Sequence, residues 1–214
     1  MKIGILGTGD VGRALGDAFI ATGHEVKMGS REAANEKAVA WVKQAGGRAS
    51  AGTFSDAVKF ADVAVIATAW SGTESALRMA ELKNFAGKPV IDATNPLKFT
   101  PGRPPELALG HTDSGGEQVQ RWLPSARVVK AFNTVGYGMM FKPDLPGGPP
   151  DMFICGNEAA AKKTVSEILK SFGWETIDIG GIEGARLLEP LCVLWVGYAM
   201  RTNTRTHAFK LLRK

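Results

Sequence analysis

Two spacings of apolar residues alternate along this 214-residue chain. Short, nearly continuous apolar runs at 2–6, 62–68, 89–93, 127–132 and 152–155 have the length and density of strands buried on both faces. Weaker strand patterns lie at 25–28, 48–53 and 174–179. Between them, apolar residues recur at helical spacing, as in Val11, Ala14, Leu15, Ala18 and Phe19, or Ala34, Ala38, Trp41, Val42 and Ala45. Further helices are predicted at 55–61, 73–82, 116–123 and 158–172. Gly23 and Gly46-Gly47 stand where two of these helices should stop. Strands alternating with helices predict an α/β fold with a doubly wound, mostly parallel sheet. Residues 97–114, with Pro101, Pro104 and Pro105, read as the longest irregular loop. Residues 136–150, rich in glycine and proline, read as a lid or connection. From Glu183 onward, Leu187, Leu188, Leu191, Cys192, Leu194, Trp195 and Tyr198 form one apolar helical face, which Pro190 should kink. The predicted division is an α/β domain over 1–182 and a helical extension over 183–214, packed on that domain or on a second copy.

The first strand–helix–strand unit carries candidate chemistry. Gly7, Gly9 and Gly12 follow the strand with G-x-G-x-x-G spacing, a dinucleotide-binding fingerprint in this context. Gly7 allows the tight turn, Gly9 lets a pyrophosphate approach the backbone, and Gly12 lets helix and strand pack closely. Thr8, Asp10 and Val11 complete the turn, and the helix start offers unpaired N–H groups to an anion. The end of the second strand selects the cofactor. An NAD site normally places Asp or Glu there for the ribose 2′-OH, whereas this chain reads Gly29-Ser30-Arg31. A hydroxyl and a guanidinium suit a 2′-phosphate, and Lys37 stands where a third contact fits. The bland alternative is that Ser30 caps the next helix and Arg31 is solvated. NADP(H) is the expected cofactor, which makes 1–182 a Rossmann-type NADP-binding domain.

Open α/β sheets bind ligands at the carboxyl ends of their strands, where strand order reverses. That rule selects Thr68-Ala69-Trp70-Ser71, Ala93-Thr94-Asn95-Pro96 and Ala131-Phe132-Asn133-Thr134. Thr68, Asn95, Asn133 and Thr134 bring hydrogen-bonding groups; Ala69 and Ala131 bring backbone. Trp70 reads equally as a packing residue or a cover on the cofactor. No metal-ligand spacing is present. His24, His111 and His207 read as surface residues, and Ser114 as a helix cap. No side chain is singled out as a catalytic acid or base. Hydride transfer between a nicotinamide and a stacked flavin or deazaflavin needs proximity and face-to-face geometry more than proton transfer, so it is the favoured chemistry.

Charge changes this picture little. There are 26 Lys and Arg against 21 Asp and Glu, for a net +5, and they are dispersed apart from a basic tail from Arg201 to Lys214. A solvated surface and an anionic cofactor account for that excess, so nucleic acid is not an expected partner. The longest apolar run, 191–200, is too short to cross a bilayer, and the chain begins directly in a strand. Cys155 and Cys192 form no C-x-x-C pair and read as buried thiols. A cytoplasmic, reducing location without membrane or metal is expected.

Four motifs carry a family resemblance over nearly the whole chain: residues 5–12, Gly29-Ser30-Arg31, Asp92-Ala93-Thr94-Asn95-Pro96 and Val129-Lys130-Ala131-Phe132-Asn133-Thr134. With them the chain resembles the NADPH-dependent oxidoreductases related to coenzyme F420-dependent NADP reductase, and is similar to the reductase domain of the STEAP metalloreductases. The resemblance implies NADP(H) on Thr8, Ser30 and Arg31, a small-molecule second ring system (F420, FMN or FAD) stacked on the nicotinamide, and a homodimer. Deazaflavin-using relatives tend to carry histidine where Asn133 stands. Two rivals to a flavin- or deazaflavin-linked reductase are a non-catalytic NADPH sensor and a reductase of small imine or keto substrates. The last usually needs a larger helical substrate domain than the residues after Gly181 provide.

Overall fold

The structure, a computed structural model, describes residues 1–214. In chain order the strands are β1 (Lys2–Leu6), β2 (Glu25–Ser30), β3 (Ala49–Thr53), β4 (Val63–Ile66), β5 (Pro89–Asp92), β6 (Leu97–Lys98), β7 (Glu106–Leu107), β8 (Arg127–Lys130), β9 (Asp151–Gly156) and β10 (Glu175–Asp178). The helices are α1 (Asp10–Ala21), α2 (Glu36–Ala45), α3 (Phe54–Phe60), α4 (Trp70–Met79), α5 (Gly115–Trp122), α6 (Ala159–Ser171) and α7 (Ala185–Thr202). No helix is long and apolar enough to cross a membrane.

Eight strands form one sheet in the order β10-β9-β8-β5-β4-β1-β2-β3. β1 pairs in parallel with both β2 and β4, so the winding reverses beside it and opens a crevice at the strand ends. The sheet is mostly parallel, as the alternating pattern predicts, with one exception. β8 and β9 pair antiparallel, Val129 opposite Gly156 and Lys130 opposite Cys155. A parallel return needs a crossover, usually helical. Residues 131–150 contain only a short 3-10 turn at Tyr137–Met139, so the chain folds straight back. β9 and β10, joined through α6, are again parallel.

Strand residues alternate between two apolar layers. Ile3 and Ile5 of β1, Val65 of β4 and Val129 of β8 face Leu15, Phe19, Val165 and Phe172 of α1 and the α6 region. Leu6, Ala64, Ile66 and Val128 face Val58, Leu77, Val119 and Leu188 of α3, α4, α5 and α7. The loop expected at 97–114 contains a correction: β6 and β7 pair antiparallel within it, Leu97 opposite Leu107.

The C-terminal segment departs further from expectation in one respect. α7 runs from Ala185 to Thr202 with Pro190 inside it. Its apolar residues divide between two faces. Leu188, Cys192, Trp195 and Ala199 are buried with Glu189, while Leu187, Leu194 and Tyr198 are exposed. Beyond the helix the chain turns back, with His207 stacked on Trp195 and its carbonyl accepting from Trp195 Nε1 at 2.9 Å. His207 is therefore a packed residue, not the surface histidine expected. Further on, the Phe209 carbonyl accepts from the Asp151 N–H at the start of β9.

Candidate functional site

The crevice beside β1 holds two adjoining pockets of about 460 and 560 Å³, which share Ala67, Thr68, Ala69 and Ser71. The first is polar and backbone-rich, with Gly7, Thr8, Gly9, Ser30 and Arg31 in its wall. The second is more apolar and includes Val11, Trp70, Thr94, Asn95 and Phe99. One continuous cleft thus crosses the point where the sheet reverses.

Backbone geometry shapes the first pocket. Gly7 has φ +127°, a conformation L side chains rarely adopt, and a Cβ there would stand 2.4 Å from the Ala67 carbonyl oxygen. At Gly12 a Cβ would meet the Gly7 carbonyl oxygen at 2.1 Å, so α1 packs onto the turn only through glycine. Gly9 differs, because no atom lies within 4 Å of where its Cβ would be. The space beside it is open. Gly9 is also the N-cap of α1, and Ala69 that of α4; neither supplies a side-chain cap. By contrast Asn35, Thr53 and Ser114 cap α2, α3 and α5. The two helices that border the cleft therefore present uncapped N-terminal N–H groups to it, a favourable place for an anion.

The end of β2 closes this pocket. Ser30 is buried and its hydroxyl donates to the Glu32 carbonyl. It does not cap α2, which Asn35 does by accepting from the Ala38 N–H at 3.2 Å. Arg31 is exposed in the pocket wall, its guanidinium about 4 Å from the Cβ position of Gly72 across the cleft. Lys37 is exposed on the first turn of α2 and lines neither pocket. Asp10 is exposed and paired with Arg13.

In the second pocket Trp70 is a packing residue that also faces the cavity. It lines the cavity and stacks on Trp122 with ring centroids 5.6 Å apart. Thr68 shares a hydroxyl contact of 2.9 Å with buried Thr73. Asn95 lines the cavity, whereas Ala131, Asn133 and Thr134 are buried and do not. Asn133 lies directly behind Asn95. Asn95 Nδ2 donates to the Asn133 carbonyl at 2.9 Å; Asn133 Nδ2 donates to Asn95 Oδ1 at 3.1 Å and to the Leu188 carbonyl at 2.9 Å. The pocket floor is thereby tied to α7.

A second tie consists of charges to which sequence reasoning assigned no role. Lys130, at the end of β8, is wholly buried with its Nζ 2.9 Å from Asp92 Oδ2 and 3.1 Å from Glu189 Oε1. It also donates to the Thr94 carbonyl at 2.8 Å. Burial is the largest influence on this ammonium and opposes its charge, but the two carboxylates outweigh burial and raise its pKa above the ordinary lysine range. A signal was present in the sequence: Lys130 interrupts an apolar strand and Glu189 an apolar helix face, and such residues are rarely buried unless paired.

The family described as "NADP oxidoreductase coenzyme F420-dependent" matches residues 2–96. The F420-dependent NADP reductase of Methanocaldococcus jannaschii is 31% identical over 215 residues, covering 96% of this chain and 95% of that protein. The metalloreductase STEAP3 of Rattus norvegicus is 31% identical over 195 residues; these are 89% of this chain but only 36% of that protein. A solved structure from Arthrobacter sp. FB24, provisionally named an F420-dependent NADP reductase, superposes with a TM-score of 0.93 at 38% identity over the full length of both chains. A Streptomyces aurantiacus imine reductase, at 18% identity and a TM-score of 0.68, shares the fold.

Proposed function

This chain belongs to the F420-dependent NADP reductase family and is an NADP-dependent oxidoreductase, and we propose that it passes hydride from NADPH to a deazaflavin of the F420 type, with FMN or FAD as lesser alternatives. The carrying observation is the division of one cleft into a polar half built on the glycine turn and an apolar half large enough for a second ring.

The chain's residues fit the nucleotide. Gly7, Thr8, Gly9, Asp10, Val11 and Gly12 form the turn that receives the pyrophosphate, with the α1 N-terminus supplying N–H donors. Arg31 has no ion-pair partner within the protein, so its guanidinium is free for a 2′-phosphate. Ser30 joins it by turning its hydroxyl from Glu32, and Lys37 acts only as a more distant charge. Thr68, Ala69 and Trp70 flank the path from pyrophosphate to nicotinamide. Asn95 meets the rings, held by Asn133, while Ala131 and Thr134 support that floor. When bound, NADPH supplies the hydride. The protein orients the two rings and keeps water from between them with Val11, Trp70, Leu97 and Phe99.

The outward face of α7, with Leu187, Leu194 and Tyr198 exposed, suits a homodimer interface between helical extensions. The free buried thiols Cys155 and Cys192 suit a reducing, cytoplasmic setting. Offering F420, FMN, FAD and riboflavin in turn, while following loss of nicotinamide absorbance, tests the main reading. F420 should support the fastest turnover. Tight NADPH binding without oxidation by any of the four would identify a sensor instead.

A further inference from the structure

Lys130, Asp92 and Glu189 form a buried charge cluster that the hydride chemistry above does not use. Asp92 Oδ1 accepts from the Thr94 N–H at 3.0 Å and from its hydroxyl at 2.6 Å, while Oδ2 faces Lys130. Glu189 Oε2 accepts from the Gly115 N–H and Oε1 from the Gly116 N–H, both at 2.9 Å, and Oε1 also faces Lys130. Asp92 Oδ1 and both Glu189 oxygens thus accept hydrogen bonds, and Asp92 Oδ2 faces the Lys130 ammonium as an ion pair without a hydrogen bond, the setting of an ionised acid. Two negative charges surround one positive charge. The α5 N-terminus, which supplies the two glycine N–H groups, offsets about half a unit. Arg186 and Glu117, on the same pair of helices, bond to each other at 2.8 Å and cancel. Lys98 at the cleft rim is exposed and screened by water. Within the buried cluster the balance remains negative.

This charge lies one residue behind the acceptor half of the cleft. Thr94, bonded to both Asp92 and Lys130, lines that half. We propose that the buried negative excess favours the oxidised, cationic nicotinamide over the reduced, neutral one, so that the protein is poised to give hydride from NADPH to the acceptor rather than to receive it. Loss of hydride takes both electrons of the C–H bond and leaves the nicotinamide ring one unit more positive; the acceptor gains the hydride and takes a proton from water. The inference rests on the reading above that the nicotinamide enters this half.

The test is separate calorimetric titration of the full chain with NADP+ and with NADPH, without acceptor. Glu189→Gln and Asp92→Asn each remove a negative charge and should weaken NADP+ relative to NADPH by roughly three- to tenfold, the size of a unit-charge change felt through protein interior. A tenfold change in that ratio corresponds to about 30 mV in the bound couple. Lys130→Met should shift the ratio the other way; if it does not fold, Lys130→Arg keeps the charge and should hold the wild-type ratio. An unchanged ratio in both carboxylate variants, equal loss of both nucleotides, or a shift of every variant in one direction overturns the inference. A merely structural role predicts the equal loss. Energy transfer from tryptophan to bound NADPH, compared in wild type and Trp70→Phe, reports the location. If Trp70 contributes nothing, the placement of the nicotinamide is wrong. If it contributes and the ratio is unmoved, only the charge inference fails.

Discussion

The two halves of the cleft are built by different means. The nucleotide half is mainly backbone: a glycine turn, two uncapped helix starts, and one cation at the end of β2. The acceptor half is side chains gathered from β4, β5, β8, the β6–β7 ribbon and α7, joined by the Asn95–Asn133–Leu188 and Thr94–Lys130–Glu189 links. Backbone donors suit the phosphates of any nucleotide, so on the proposed function specificity in that half falls mainly to Arg31, with Ser30 beside it. In the acceptor half, shape depends on buried polar links that span distant parts of the chain. Damage to the first half should therefore appear in affinity for NADP+ and NADPH alike, and damage to the second in acceptor turnover and in the ratio of NADP+ to NADPH affinity.

The sharpest way to break that division is within the glycine turn. Gly12→Ala places a methyl on the Gly7 carbonyl and should abolish NADPH binding while costing about 1–3 kcal/mol of stability, as overpacking does. Gly9→Ala has free space around the new methyl and should leave the thermal midpoint unchanged. That methyl would still occupy the phosphate approach, so NADPH affinity should fall by roughly tenfold or more. Wild-type binding by Gly9→Ala, measured by calorimetry, would remove the phosphate from the turn.

Arg31→Ala comes next. NADPH affinity should fall by roughly ten- to a hundredfold, the scale of lost charge-assisted hydrogen bonds, while NADH affinity barely moves. Equal losses for both nucleotides contradict the specificity assigned to this residue. A smaller effect in the other half sharpens the comparison. Asn133→Ala breaks the links to Asn95 and Leu188 and leaves their polar groups short of partners. The acceptor KM should rise several-fold, on the order of one lost hydrogen bond, while the NADPH Kd stays within about twofold. Steady-state and binding measurements on one preparation separate the two quantities. The smallest effect concerns Cys155 and Cys192, whose thiols burial pushes up to about 12. Both should resist alkylation at neutral pH until denaturant is added, read by mass spectrometry.

The glycine-turn half of the cleft was the more legible in sequence because its residues are local. Residues 7–31 carry the turn, helix, second strand and Ser30-Arg31 in order, and the structure brings Gly7, Gly9, Ser30 and Arg31 to one pocket. Strand and helix periods likewise disclosed the sheet and most of its helices. The acceptor half was only partly legible. The strand-end rule found Thr68, Trp70 and Asn95, but nothing local says that Asn133 lies behind Asn95, or that Glu189 folds back onto Lys130. Those contacts join residues far apart in the chain. The reversal of β9 was hidden similarly: it follows from the lack of a helix across 131–150, a segment whose glycines and prolines reveal only a loop. The tail was misread at His207 because its stacking on Trp195 requires the chain to double back after α7.

Direct passage of hydride between two rings held in one cleft is tested most directly by isotope. NADPH carrying deuterium on one or the other face of nicotinamide C4 would be mixed with F420 in ordinary water, and the reduced deazaflavin analysed by mass spectrometry. Direct transfer predicts that one of the two labelled nucleotides delivers its deuterium to the deazaflavin carbon and the other retains it. Appearance of the label in water from both, or consumption of neither while NADPH remains bound, would contradict the mechanism.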